Sequence, residues 1–170
     1  NSQSSSGAVY VFTRSGNTWS QQAYVKASNT DANDLFGYSV GLSADGNTLA
    51  ASAYDEDGSA RQINGPQDKA RRGAGAIYVF TRSGIAWSQT AYLKASNAET
   101  GDSLGYSIAI SQDGNTIAGG AADEDCMMPG VFNGDAKVCD NDQPEDNSSG
   151  AVYVFARTGS TWSQQAFIKS

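Results

Sequence analysis

The segment GAVYVFTRSGNTWSQQAYVKAS begins at Gly7, returns nearly verbatim as GAIYVFTRSGIAWSQTAYLKAS at Gly75, and returns again as GAVYVFARTGSTWSQQAFIKS from Gly150. Trp19, Trp87 and Trp162 mark the cycle, 68 and 75 residues apart. A second shared segment lies between the copies, FGYSVGLSADGNTLAASAYDED from Phe36 and LGYSIAISQDGNTIAGGAADED from Leu104. A chain that repeats itself at this spacing must build one supersecondary unit several times over. Each unit can bury its apolar face only against its neighbours.

Each period holds four strand-like runs. FGYSVGLS and NTLAASAY flank Asp45-Gly46-Asn47, and the equivalent runs flank Asp113-Gly114-Asn115. Asp-Gly between such runs marks a hairpin, because glycine accepts the positive φ of a tight turn. GAVYVFTR, closed by Ser15-Gly16-Asn17, and TWSQQAYVKAS complete the set. These runs are strands a, b, c and d, with one long insert between b and c. Along strand c, Val9 and Val11 point to one face while Tyr10 and Phe12 point to the other, so the sheet is covered on both sides. A two-sheet sandwich would show one polar face per strand, which favours a propeller blade packed between copies of itself.

These residues resemble the FG-GAP repeat, the unit of β-propellers in integrin alpha chains and in bacterial extracellular proteins. Phe36-Gly37 matches the FG element and Leu104-Gly105 departs from it by one residue, while AASAY and AGGAA stand in place of the GAP element without its proline. The expected fold is all-β, with tandem four-stranded antiparallel blades. Residues 1–6 form a polar tail and 7–28 a leading half-blade of strands c and d. Residues 29–96 form a blade with an insert at 55–74, and 97–170 a blade with a cysteine-containing insert at 123–149. That order predicts ten strands, two complete blades and one leading hairpin. A closed propeller takes about 4 to 8 blades. The expected partners are therefore further blades of the same polypeptide or other copies of the chain, joined head to tail as a ring or a filament.

Composition narrows the function. Net charge is −7 over 170 residues, which disfavours nucleic acid and anionic membrane surfaces as partners. No stretch approaches the run of about 18 apolar residues that spans a bilayer, and none reads as a signal peptide. Histidine is absent, removing the commonest general base and metal ligand. With neither a nucleophile elbow nor a glycine-rich phosphate loop, no catalytic constellation emerges.

Carboxylates are the densest cluster. In an antiparallel blade the b–c and d–a loops emerge on one rim. That rim collects Asp31, Asp34, Glu99 and Asp102 from the d–a loops, and Asp55-Glu56-Asp57 and Asp123-Glu124-Asp125 from the inserts. Hard oxygen ligands suit calcium, and Asp55, Asp57, Asp123 and Asp125 are its candidate ligands; solvated acidic loops are the competing reading. The integrin-type calcium loop of the resembled family lies between the halves of its repeat. Here that position is the tight turn at Asp45 and Asp113, so the family site does not carry over.

The inserts vary while the strands repeat, as a recognition surface or drifting loops would. Cys126 and Cys139 are the sole cysteines, and their short spacing reads as a disulfide across the second insert, suited to an oxidising compartment. Asn147-Ser148-Ser149 is a weak glycosylation sequon at Asn147. The recurring aromatics read as inter-blade packing ahead of sugar stacking. Arg14, Arg82 and Arg157 recur beside the c–d turn, where a neighbouring carboxylate or turn carbonyl is expected to receive them. The function expected from this set is a non-enzymatic, extracellular or cell-surface binding and adhesion scaffold, contacting a protein or glycan through the acidic rim. A structural subunit of a head-to-tail filament or ring is the alternative, and a carbohydrate-binding lectin the third reading.

Overall fold

The computed structural model of the chain describes residues 3–135 and 148–170. Its elements are β1 (Val9–Ser15), β2 (Thr18–Val25), β3 (Val40–Leu42), β4 (Thr48–Ala53), β5 (Ala76–Ser83), β6 (Ala86–Leu93), β7 (Leu104–Ile110), β8 (Thr116–Ala121), β9 (Gly130–Asn133), β10 (Ala151–Thr158) and β11 (Thr161–Lys169). Among the described residues they form three antiparallel sheets: the hairpin β1-β2, a sheet ordered β3-β4-β5-β6, and one ordered β7-β8-β10-β11-β9. The last two are complete a-b-c-d blades and the first is a c-d pair.

Each a–b hairpin turns where the Asp-Gly pair predicts. Gly46 takes φ +67° and Gly114 φ +70°. The Asp45 carboxylate accepts from Ser43 Oγ at 2.6 Å and from Asn47 N at 3.0 Å, and Asp113 repeats the pattern with Ser111 and Asn115. These bonds hold the Asp45 carboxyl down at about 2, the serine hydroxyl contributing most. Both carboxylates are thereby committed to their own turns.

The FG element is a joint between units. Phe36 forms a parallel bridge with Gly7, and Leu104 forms the same bridge with Gly75 at the start of the preceding strand c. The following glycine must then bend away. Gly105 takes φ +94°, and a Cβ there would stand 2.7 Å from Ser52 Cβ and 3.1 Å from the Ala76 carbonyl. The departure from the FG element at Leu104, leucine for phenylalanine, changes the side chain and keeps the bend.

Two cores lie between successive sheets. Val9 and Val25 of the hairpin pack with Phe36, Tyr78, Phe80 and Tyr92. Ile77, Val79 and Leu93 of the middle sheet pack with Tyr153, Phe155, Phe167 and Trp162. The aliphatic face of one unit thus meets the aromatic face of the next, as the alternation along strand c predicts. Every residue of β4 is buried, the mark of a sheet covered on both sides.

Three features differ from the sequence expectation. Among the described residues there are eleven strands rather than ten, because β9 arises within the second insert and pairs with the outer edge of β11, Phe132 opposite Phe167. The first insert uses the same edge of its own blade. Asn64 N donates to Tyr92 O at 2.8 Å, and Tyr92 N donates to Asn64 Oδ1 at 2.9 Å. Both inserts therefore cover an otherwise open strand edge, where unpaired N–H and C=O groups invite other chains. Finally, the polar start is engaged: Ser4, Ser5 and Ser6 carbonyls accept from Asn33, Leu35 and Phe36.

The joint can be tested by adding a methyl group. Gly105→Ala meets both a disfavoured φ and a steric overlap, and is expected to cost about 2–4 kcal/mol. Gly84→Ala, at φ +62° with open space around it, is expected to cost only about 1 kcal/mol. Urea unfolding midpoints at unchanged m-value measure the difference.

Candidate functional site

The two Asp-Glu-Asp triads begin in the turn that follows each b strand, where Glu56 N donates to the Ala53 carbonyl at 3.2 Å. Glu56 turns inward and is fully buried. Its carboxylate accepts from Lys94 Nζ at 3.0 Å, from Tyr92 OH at 2.9 Å and from Asn29 Nδ2 at 2.9 Å. Tyr78 OH donates to Asn29 Oδ1 at 2.6 Å, and Lys94 Nζ also donates to the Gly75 carbonyl at 2.7 Å. The next unit repeats the arrangement. The Glu124 carboxylate accepts from Asn97 Nδ2 and Tyr153 OH, while Lys169 Nζ donates to the Glu124 carbonyl. Sequence reading places both glutamates on the acidic rim; the structure removes them from it, because each is the acceptor hub of a buried polar network. The available signal was the recurrence of Asn29, Tyr78 and Lys94 as Asn97, Tyr153 and Lys169, in step with core positions.

The rim retains the flanking aspartates. Asp55 and Asp57 are half-buried in a cleft of about 490 Å³, together with Asn33, Arg72, Gly73, Thr100, Gly101 and Ser103. Gly73 N donates to Asp57 Oδ1 at 3.0 Å, and Ser103 Oγ donates to Asp123 Oδ2 at 3.0 Å. Burial and the Asp57 charge push the Asp55 carboxyl up, against the pull of Arg72. Asp125 sits half-buried beyond Glu124. Among the described residues, no three His, Cys, Asp or Glu side chains converge as metal ligands. The four rim aspartates therefore do not meet at one point: Asp55 and Asp57 share a cleft, and Asp123 binds a serine.

The bases of the first insert are distributed over the same rim. Lys69 Nζ reaches Asp31 at 2.7 Å, Arg61 reaches Glu99 at 3.1 Å, and Arg71 donates to the Ala98 carbonyl. Among the described residues, the recurring arginines do not reach a carboxylate. Arg82 donates to Asn47 Oδ1 at 2.9 Å and Arg157 to Asn115 Oδ1 at 2.9 Å, each in its own a–b turn, and each lies over the tryptophan of its own hairpin. An amide in reach satisfies the guanidinium without the desolvation of an ion pair. Cys126 is buried, while Cys139 and Asn147 lie outside the described residues.

Beneath the rim, two aspartates carry the electrostatic load of this crowding. Asp34 is buried, accepts from Asp31 N at 2.7 Å, and has its carboxyl raised to about 6, by desolvation first and then by Glu56, Asp31 and Asp57. Asp102 is its repeat, accepts from Glu99 N at 2.7 Å, and is raised to about 7 by desolvation and by Glu124 and Asp125.

Two predictions follow from these networks. Breaking the Glu56–Lys94 pair on one side leaves a buried charge alone, so Glu56→Leu is expected to destabilise by about 3–5 kcal/mol. Glu56→Leu combined with Lys94→Met is expected to recover most of that loss, read as a double-mutant cycle in denaturant. The second concerns pH. Asp34 and Asp102 hold their protons above the ordinary value of 3.8, so the folded chain binds more protons than the unfolded one between about pH 4 and 7. Their stabilising contribution is full below that window and is lost as pH rises through about 6 to 7. Asp102→Asn mimics the protonated form, keeps an acceptor for Glu99 N, and is expected to gain about 1–3 kcal/mol at pH 8, on the order of 5 °C in melting temperature. The gain should vanish near pH 4.

Comparison with known proteins agrees with this frame. Among curated proteins no sequence match is found. The family model for the FG-GAP repeat matches residues 19–80 and again residues 87–155, one hit per blade-to-blade period. Repeats of this family occur in extracellular and cell-surface proteins and are typically non-enzymatic. With two copies of the repeat covering most of its length, the chain belongs to the FG-GAP repeat family.

Proposed function

We propose that the chain is a non-enzymatic binding scaffold of the extracellular space, meeting a cell-surface protein or glycan through the rim of b–c and d–a loops. The observation that supports this reading most is the rim cleft, where Asp55, Asp57 and Arg72 stand beside the hydroxyls of Thr100 and Ser103. The cleft mixes both charge signs with neutral donors on backbone set by the glycine joints. Such a lining suits a polar partner with paired hydrogen-bonding groups. The framework repeats while the two inserts differ in charge, which is how a fixed scaffold carries different contacts. In this reading Cys126 and Cys139 are bonded to each other and staple the second insert. Calcium enters as a bridging ion, drawing on Asp55 and Asp57 and on the partner's own oxygens.

Binding of the labelled chain to intact cells and matrix-coated surfaces tests the reading. Asp55→Asn with Arg72→Ala is expected to weaken saturable binding at least about tenfold, as loss of a central contact does. Ile85→Ser, at an exposed position in the c–d turn of the opposite rim, is expected to leave it unchanged. Equal losses from both variants, or no saturable binding at all, count against the rim.

A further inference from the structure

The buried network around Glu56 holds an amine and an amide on one carboxylate. Lys94 Nζ donates to Glu56 Oε2 at 3.0 Å, and Asn29 Nδ2 donates to Glu56 Oε1 at 2.9 Å. The amide carbonyl is engaged separately, where Tyr78 OH donates to Asn29 Oδ1 at 2.6 Å. Glu56, Lys94, Tyr78 and Tyr92 are each at most 1% exposed, so bulk water does not compete for these groups. All five residues lie within two successive units.

Each contact has a use in acyl transfer. A lysine attacks a carbonyl only as the free amine, and desolvation favours that form. Burial pushes the Lys94 amine down from its ordinary value, against the pull of Glu56. A carboxylate bonded to both amine and amide nitrogen can take a proton from the first and hand it to the second. A hydroxyl aimed at the carbonyl oxygen stabilises the negative charge that develops there during attack.

We propose that Lys94 and Asn29 join in an intramolecular amide bond, with Glu56 carrying the proton and Tyr78 holding the oxyanion. Lys94 passes one proton to Glu56 Oε2, and the lone pair so freed bonds to Asn29 Cγ while the carbonyl pair moves onto Oδ1. As that pair returns, the Cγ–Nδ2 bond breaks and Glu56 hands its proton to Nδ2. A second proton leaves Nζ through the same carboxylate, and one ammonium ion is released. Nothing is oxidised or reduced, and no co-reactant is needed. The ion pair is the state of the freshly folded chain, and the amide bond is its product. That bond ties the d–a loop after the leading hairpin to the end of β6. The later network does not offer the same set. Lys169 Nζ donates to the main-chain carbonyl of Glu124 rather than to its carboxylate, and Phe167 stands in the place of Tyr92. The bond is therefore assigned to the Glu56 network. It does not rest on ligand binding at the rim, and either reading can fail alone.

Intact mass of the whole 170-residue chain, folded, incubated and then denatured, tests it. The expected mass is one ammonia below that of the sequence. Proteolysis is expected to yield one peptide in which Asn29 and Lys94 are joined. A succinimide at Asn64-Gly65 loses the same ammonia, so the joined peptide decides. Lys94→Met removes the nucleophile, and Glu56→Gln keeps the size of the carboxylate without its capacity to carry a proton. Both are expected to lack the joined peptide. Tyr78→Phe is expected to slow bond formation at least about tenfold, as loss of an oxyanion donor does. A folded wild-type chain that keeps its full mass after prolonged incubation would overturn the proposal. So would an ammonia loss without the joined peptide, or a joined peptide that forms in Glu56→Gln as fast as in wild type.

Discussion

The carboxylate of Glu56 is the point on which the middle blade turns. Removing a glutamate and a lysine from water costs several kcal/mol per ion, and the fold meets that cost by filling the acceptor sites of the carboxylate. Lys94, Tyr92 and Asn29 all donate to it. These donors come from the end of strand d, from strand d itself and from the preceding d–a loop, while Glu56 comes from the b–c loop. One buried atom group therefore positions two loops of the rim relative to the sheet. The same lysine donates to the Gly75 carbonyl, and Gly75 bridges Leu104 at the entry to the next blade. The polar hub of one unit thus reaches the joint of the next.

Around that hub the sheets pack directionally. Because successive side chains of a strand point to opposite faces, the run Ala-Ile-Tyr-Val-Phe of β5 presents Ile77 and Val79 one way and Tyr78 and Phe80 the other. Each face has its own complement, so units stack in one sense only. The hydrogen bonds of Gln89 and Gln164 to serines of the preceding unit set the lateral register that apolar packing leaves loose. Hydrophobic contact supplies the larger part of the attraction, and the glutamines fix where it is made.

The rim inherits the consequence of the hub. Burial first, and the buried glutamate beneath each pair of loops second, push the Asp34 carboxyl up to about 6 and the Asp102 carboxyl up to about 7. The first insert answers with Arg61, Lys69 and Arg71 placed against the d–a loops. These loops combine two tasks, covering the outer strand edge and balancing charge on the rim. A cleft between them is where such a frame can vary its contacts without disturbing the stack.

Much of this architecture was legible in the residues. The recurrence of GAVYVF, the Asp-Gly turns and the apolar character of both faces of strand c sufficed for four-stranded antiparallel blades in the order a-b-c-d, because periodicity and turn chemistry are local properties. The complementary faces could be anticipated for the same reason: Val9 and Tyr10 alternate in any extended strand. What tertiary structure alone decided was which member of each acidic triad is buried. Asp55, Glu56 and Asp57 are adjacent and alike in charge, and only the arrival of Lys94 and Asn29 from distant segments makes the middle one a core residue. The partners of Arg82 and Arg157 were likewise decided by the a–b turn folding back beside them. The edge pairing of Asn64 and β9 depended on where strand d ends in space. Contacts between segments far apart in the chain have no signature in either segment read alone, and it is those contacts that separate the structural carboxylates from the exposed ones.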